Sequence, residues 1–589
     1  MRRALRSPTP PTGERRGRRR SRRLALLAAP VAAMVAVPLA LTLPGSPASA
    51  ASSRTYVVVY SGSAEAGRAA VAKLGGKIES ENAETGLAVV TSTDASFETR
   101  AATFTALVGA APDSPIGYAA PDAAGGSAGG KDQSFTQRER DLSRAGGGTK
   151  PGKPGKPAAG AEPLSSLQWD MQMMGATPTG SYKYQPGNKG VLVGVIDTGI
   201  DGTHPDVAPN FDKGLSRNFV TDIPTDPASG EEVDGPCEHP SCKDPVDEDD
   251  DGHGTHVAST IASPVNGLGI AGVAPNVQLV NIRAGQDSGY FFLKPTIDAI
   301  TYAGDAGIDV VNMSFYTDPY LFNCEANPAD SPERQAEQRT IIAATQRAVA
   351  YASRHGVTLI AASGNESTDL GHPAADDTSP DYPPSGSAAY PRVIDNSCLS
   401  MPSEAPNVLD VNAIGPSKRL SYYSNYGLEQ SVVAAPGGDA YDGSATRLAT
   451  NEILAAYPKN VAEATGDIDE NGNPTNEFVI RDDSKGKTSY YQYLQGTSMA
   501  SPHAVGVAAI IISALGHKDP RHGGLTLDPQ IVQQALQRTA VATACPTPNP
   551  YVYPAPVPAD YTKTCQGTAK FNGFYGNGIV SALNASKLH

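Results

Sequence analysis

Gly190-Val191-Leu192-Val193-Gly194-Val195-Ile196-Asp197 decides the fold. An apolar run of this length, without polar alternation, is what a strand buried on both faces requires, and it ends abruptly on a carboxylate. Comparable runs recur at 277–282, 310–313, 357–362 and 408–414, and segments such as 295–306 and 340–355 between them have helical spacing. Strands alternating with helices predict an α/β, doubly wound, mainly parallel sheet with helices on both faces, spanning residues 163–589. In such a sheet functional residues gather beyond the carboxyl ends of the strands, which makes Asp197 the first candidate.

Two further islands share its character. In Asp251-Gly252-His253-Gly254-Thr255-His256-Val257-Ala258-Ser259 a histidine opens an apolar helix, and in Gly496-Thr497-Ser498-Met499-Ala500-Ser501-Pro502-His503 a serine stands at the mouth of a strongly apolar one. Each has an ordinary explanation alone: a turn-forming Asp, a structural His, an N-capping Ser. Together they answer one chemical need. A serine hydroxyl is a poor nucleophile near neutral pH and needs a base within hydrogen-bond reach. Imidazole suits that task, a buried carboxylate fixes its tautomer, and a helix N-terminus offers N–H groups where negative charge develops. Thr497 and Ser501 are the rival hydroxyls, and His256, one turn past His253, should pack or hydrogen-bond inside.

Upstream, the chain divides by composition. Residues 1–50 carry ten Arg and one Glu, an apolar stretch over 24–43 and the small-residue sequence Ala48-Ser49-Ala50, the pattern of a cleavable export signal. Ser21-Arg22-Arg23-Leu24-Ala25-Leu26 loosely matches a twin-arginine signal, and the Sec route stays equally open. Pro30, Pro38 and Pro44 interrupt the apolar stretch, so no stable membrane anchor is expected once the signal is removed. Residues 51–120 read as a small α+β unit: a strand at 56–60, a helix at 64–74, a strand at 87–90, then Phe97, Ala101, Phe104, Leu107 and Val108 at helical spacing. So short a unit has a marginal core and should lean on another surface. Residues 121–162, rich in Gly, Pro and Lys, read as a flexible linker open to proteolysis.

The net charge of −14, with 18% of residues charged, favours neither a disordered acidic chain nor a nucleic-acid partner. Six cysteines in an exported chain point to disulfides, with fifteen possible pairings. Cys237/Cys242 and Cys545/Cys565 are the short-range candidates, which would leave Cys324 with Cys398. The Cys237–Cys242 segment supplies at most three of the four ligands a structural zinc needs. In Asp467-Ile468-Asp469-Glu470-Asn471-Gly472, Asp467, Asp469 and Asn471 alternate as calcium ligands do. However, Glu477 falls one position early and Pro474 interrupts, so a polar surface turn competes with a structural calcium. The acidic run 247–251 reads as a solvated loop entering the His253 helix.

These blocks resemble the subtilisin-like serine proteases. The match is carried by Asp197-Thr198-Gly199, His253-Gly254-Thr255-His256 and Gly496-Thr497-Ser498-Met499-Ala500-Ser501-Pro502, supported by His204-Pro205-Asp206, Gly272-Val273-Ala274-Pro275, Val311-Asn312-Met313-Ser314 and Ala361-Ala362-Ser363-Gly364-Asn365. The resemblance covers nearly all of 163–589, and Tyr575-Gly576-Asn577-Gly578-Ile579-Val580 looks like the family's catalytic-domain end, leaving no further domain expected. It implies a secreted, monomeric endopeptidase acting on proteins or peptides without a catalytic cofactor, with Ser498 as nucleophile, His253 as base and then acid, and Asp197 orienting it. It further implies an oxyanion hole from Asn365 and the Ser498 N–H, and substrate contacts at Ser314, Phe315, Tyr316, Ala362 and Gly364. Residues 51–120 would be the propeptide, an intramolecular chaperone and inhibitor. Phe315 and Tyr316 depart from the family, where an aliphatic residue and glycine are common, and the loop 394–407 looks inserted. The alternative is a catalytically silent subtilase fold used for binding.

Overall fold

The computed structural model describes residues 53–113, 157, 159–226, 230, 232–382 and 389–589. The export signal expected over 1–50 and nearly all of the linker lie outside the described residues.

Strand alternation explains how the amino-terminal unit is built. β1 (Arg54–Tyr60), β2 (Lys77–Asn82), β3 (Leu87–Ser92) and β4 (Leu107–Pro112) form an antiparallel sheet in the order β2-β3-β1-β4. Tyr56, Val58 and Tyr60 point to one face, where α1 (Ala64–Lys73) and α2 (Phe97–Ala101) cover them. Val57 and Val59 point to the other, where they join Ile341, Ile342 and Val349 in a second core. A buried valine contributes about 1.5–3 kcal/mol, so the unit completes its packing only on its neighbour. The helix expected through Leu107 and Val108 stops at Ala101. Both residues belong to β4, which pairs with β1 (Val57 opposite Ala111) while Leu107 and Ala110 join the core shared with α1 and α2.

The central sheet holds β5 (Leu192–Ile196), β6 (Arg217–Asn218), β7 (Gln278–Arg283), β8 (Val310–Met313), β9 (Thr358–Ala362), β12 (Val408–Ile414) and β13 (Ser431–Pro436), while β10 (Ala375–Asp376) and β11 (Arg392–Val393) pair apart. Its order is β13-β12-β9-β8-β5-β7-β6, with every adjacent pair parallel. A separate antiparallel sheet holds β14 (Ile453–Tyr457), β15 (Val479–Asp482) and β16 (Ser489–Leu494). Among the helices of this stretch, α3 (Trp169–Met174) precedes β5, α4 (His253–Ala262) lies between β6 and β7, and α7 (Lys459–Ala464) follows β14.

β5 is covered on both sides, as its apolar run requires. Val193 and Val195 share a core with residues of α4 and of α8 (Thr497–Leu515), the helix that follows β16. Ile196 faces α5 (Leu293–Asp305) and α6 (Pro332–Arg354), the helices against which β1 rests. Arg347 of α6 reaches across to donate to the Thr85 and Gly86 carbonyls at 3.2 and 3.4 Å.

Residues just ahead of α3 are sewn into the central unit. Leu164 N–H donates to Gly269 O at 2.7 Å, and the Gln168 amide bonds both the carbonyl and the N–H of Ala271, at 2.9 and 3.2 Å. Three disulfides close: Cys237–Cys242, Cys324–Cys398 and Cys545–Cys565.

Candidate active site

Asp197 emerges from β5 fully buried. Its Oδ1 accepts from the Thr198 N–H at 2.8 Å and lies 2.7 Å from His253 Nδ1. Burial pushes its carboxyl up, and the adjacent His253 and the hydrogen bonds oppose this. His253 is the first residue of α4, and Gly254 lets the helix start lie flat against the strand end. A Cβ at 254 would stand 2.1 Å from Gly199 O and 3.0 Å from Asp197 Cβ. That contact gives the His-Gly pair its physical reason.

The acidic loop before α4 is only partly solvated: Asp247, Glu248 and Asp250 keep some exposure, but Asp249 and Asp251 do not. Asp249 is buried, and its carboxylate accepts from the N–H groups of Gly252 and Thr255, both at 2.9 Å, and from the hydroxyls of Thr198 and Thr255. Asp251 takes the His253 N–H at 3.0 Å. Two carboxylates on otherwise unpaired N–H groups, at the positive end of the helix, anchor the turn that presents His253. Sequence reading missed this because five consecutive acidic residues look like a hydrated run. His256 is buried, with Nε2 3.1 Å from the carbonyls of Ile453 and Gln492, and burial together with His253 pushes its pKa down to about 3.

Ser498 lies in the first turn of α8, which packs directly on α4. Its hydroxyl donates to Ser314 O at 3.2 Å, just past the end of β8, and the Ser314 hydroxyl donates back to Ser498 O at 3.0 Å. Asn312 supports the exchange through its Nδ2 on Ser314 Oγ at 2.8 Å. Both rival hydroxyls are committed elsewhere: Ser501 donates to Asn312 Oδ1 at 2.8 Å, and Thr497 to Asn365 Oδ1 at 3.0 Å. The Thr497 N–H also donates to Asn365 Oδ1, at 2.9 Å, and Gly364 N–H donates to Thr497 Oγ1 at 3.1 Å. Thr497, read from sequence only as a rival nucleophile, therefore fixes which end of the Asn365 amide is the donor.

Asp197, Ser314 and Asn365 thus stand past the ends of β5, β8 and β9, at the edge where the first turns of α4 and α8 bring His253 and Ser498. Ala362 closes β9 and is buried. Phe315 and Tyr316 are also buried: Phe315 stacks on Phe291 with ring centroids 4.2 Å apart, and the Tyr316 hydroxyl bonds the Asp381 carboxylate.

Several acidic groups could approach a cation. The sets His239/Asp244/Glu248, Asp222/Glu238/Asp244 and Asp244/Asp250/Asp287 each have one ligand atom per residue within 4.8 Å of the others. The Arg283 guanidinium, buried at the end of β7, already bonds Asp244 and Asp287 and approaches Asp222 at 3.7 Å. The carboxylates of the suggested calcium loop serve the chain's own donors. Asp467 accepts from Tyr457 OH at 2.9 Å and Asn476 Nδ2 at 2.6 Å, while Asp469 accepts from the N–H groups of Asn471 and Asn473 at 2.9 and 2.8 Å.

The sequence profile described as "Subtilase family" matches residues 188–578. A thermophilic serine proteinase of Bacillus sp. (strain AK1) is 29% identical over 328 residues, 56% of this chain and 53% of that protein. Fervidolysin of Fervidobacterium pennivorans is 27% identical over 367 residues, 61% of this chain and 39% of its own length. The chain thus spans about half the length of the first of these curated relatives and about two fifths of the second. Among solved structures, the epidermin leader peptide processing serine protease of Staphylococcus aureus superposes with a TM-score of 0.55 at 20% identity, covering 91% of this chain and 98% of that one. At that identity the likeness is one of fold.

Proposed function

The chain belongs to the subtilase family, and from that premise we propose that it is a secreted serine endopeptidase, made as a self-processing zymogen, that hydrolyses peptide bonds through an acyl-enzyme on Ser498. The observation that carries this reading is the buried 2.7 Å contact between His253 Nδ1 and Asp197 Oδ1, at the sheet edge where α8 presents Ser498.

In the reaction Ser498 Oγ leaves its acceptor, the Ser314 carbonyl, and attacks the carbonyl carbon of the substrate while its proton passes to His253. With Nδ1 engaged by Asp197, that proton arrives at Nε2, and the carboxylate stabilises the imidazolium. Negative charge grows on the substrate oxygen, where the Ser498 N–H and Asn365 Nδ2 donate. The imidazolium then protonates the departing amine, and a water molecule repeats the sequence to release the acid. These side chains and one water balance the reaction, so no cofactor enters it.

The amino-terminal sheet acts as the enzyme's own chaperone and inhibitor, a role supported by the face it shares with α5 and α6. Export rests on the signal pattern of residues 1–50, and the substrates are proteins or peptides met by a monomer outside the cell. A serine-selective fluorophosphonate should label the mature protein at Ser498 and leave Ser498→Ala unlabelled. A folded, propeptide-free sample that neither labels nor cleaves a peptide library would refute the reading.

A further inference from the structure

The turn that carries Asn365 has a conformation it would not hold unaided. Gly364 sits at φ 101° and Ser367 at φ 61°, the second a left-handed position for a residue with a side chain. Strained positions of this kind persist only where the surroundings over-determine them. Here the surroundings converge on one residue from a distant loop, Asn425.

Asn425 is buried, and its side chain uses its full hydrogen-bonding capacity on this turn. Nδ2 donates to Ser363 O at 2.9 Å and to Glu366 Oε2 at 2.7 Å, while Oδ1 accepts from the N–H groups of Glu366 and Thr368 at 3.1 and 2.8 Å. Its own N–H donates to Gly364 O at 2.9 Å. Asn365 is therefore gripped on both sides in sequence while its Oδ1 is tied to Thr497. The fit is close enough that a Cβ on Gly364 would lie 2.4 Å from Asn425 Nδ2.

Asn425 is itself held from behind. Lys563, buried, donates from Nζ to Ser424 O at 2.7 Å, bonding the peptide that leads into Asn425. Its Nζ lies 5.3 and 5.9 Å from the ring centroids of Tyr426 and Tyr553. Lys563 belongs to the segment closed by Cys545–Cys565.

Resting on the peptidase reading above, we propose that Asn425 is the positioning residue of the oxyanion loop: it sets the backbone of 363–368 so that Asn365 meets the developing negative charge, with Lys563 bracing it. Asn425 touches neither the substrate nor the reacting atoms, so its effect passes through Asn365.

The test is a double-mutant cycle on the full-length protein after maturation, with turnover expressed per fluorophosphonate-titrated site so that unfolded molecules do not count. Asn425→Ala should lower kcat about 10–100-fold with little change in KM, the signature of a contribution made mainly in the transition state. In an Asn365→Ala background the same substitution should cost almost nothing further. Asn425→Asp keeps both acceptor bonds but sets an oxygen against Ser363 O and Glu366 Oε2 in place of the two donations, and should lose at least as much as alanine. It decides the matter if the alanine variant cannot be isolated. Hydrogen exchange over 363–368 should rise in either variant. Wild-type kcat in Asn425→Asp or Asn425→Ala, an equal loss with and without Asn365, or unchanged exchange would each overturn the proposal. An inactive wild type would instead overturn the peptidase reading, and exchange would still report whether Asn425 holds the turn.

Discussion

Replacing Gly254 by alanine places a methyl group 2.1 Å from the Gly199 carbonyl oxygen and 3.0 Å from Asp197 Cβ. Non-bonded heavy atoms sit comfortably at about 3.5–4 Å, so the first contact is more than roughly 1 Å too short. The obstructing atom belongs to the main chain and cannot swing aside as a side-chain tip would. The start of α4 must therefore back away from the end of β5, carrying His253 with it. A retreat of roughly 1 Å lengthens the 2.7 Å contact to Asp197 past the ~3.2 Å limit of a useful hydrogen bond. Misplacement on that scale costs about 10²-fold in turnover, and overpacking of this kind costs about 1–3 kcal/mol in stability. The assay is kcat on a peptide substrate per titrated site, paired with thermal unfolding of the same substitution in a Ser498→Ala background, which prevents self-digestion. An alanine variant with wild-type turnover and an unmoved melting temperature would refute the close-approach argument.

Two further outcomes concern pH. Asp410, buried in β12, has its carboxyl pushed well above the ordinary range, first by burial and then by the neighbouring Glu404 carboxyl. The folded state then keeps a proton that the unfolded chain releases above about pH 4, so wild-type stability falls as pH rises from there through the folded pKa, by at most ~1.4 kcal/mol per unit. An asparagine at this position does not titrate. Asp410→Asn should therefore come nearest to wild type at about pH 4 and gain on it towards about pH 8 in urea unfolding, and a constant difference would sink the argument. His256 behaves oppositely. With its folded pKa at about 3, it stays neutral while the unfolded chain protonates below about 6.5, so stability is lost as pH falls through that window. His256→Gln should be the weaker protein at about pH 7, and its deficit should shrink by about pH 4; a deficit independent of pH would show that His256 does not supply this acid sensitivity.

What could be read from sequence was whatever leaves a one-dimensional trace. β5 showed itself because burial on both faces removes polar residues from every position, and the helix starts at His253 and Thr497 showed themselves as small polar residues opening apolar runs. β2, Lys-Ile-Glu-Ser-Glu-Asn, was invisible because an edge strand facing water needs no apolar pattern. β4 was read as helix because Phe104, Leu107 and Val108 keep helical spacing after Phe97 and Ala101, and only the pairing with β1 reveals otherwise. Asn425 was beyond reach: its partners lie about sixty residues upstream, and one asparagine in a loop leaves no periodic mark. Asp249 was misjudged because proximity to a helix end, not composition, decides whether an acidic run is hydrated.

The anchoring of Leu164 and Gln168 to the strip from Gly269 to Ala271 has a consequence for the proposed maturation. On the zymogen reading proposed above, a cut that releases the leading sheet would have to leave residue 164 and all that follows it in place. Trimming beyond that point would strip partners from main-chain groups at the rim of the larger unit, so a ragged end is tolerable on one side of this seam and damaging on the other.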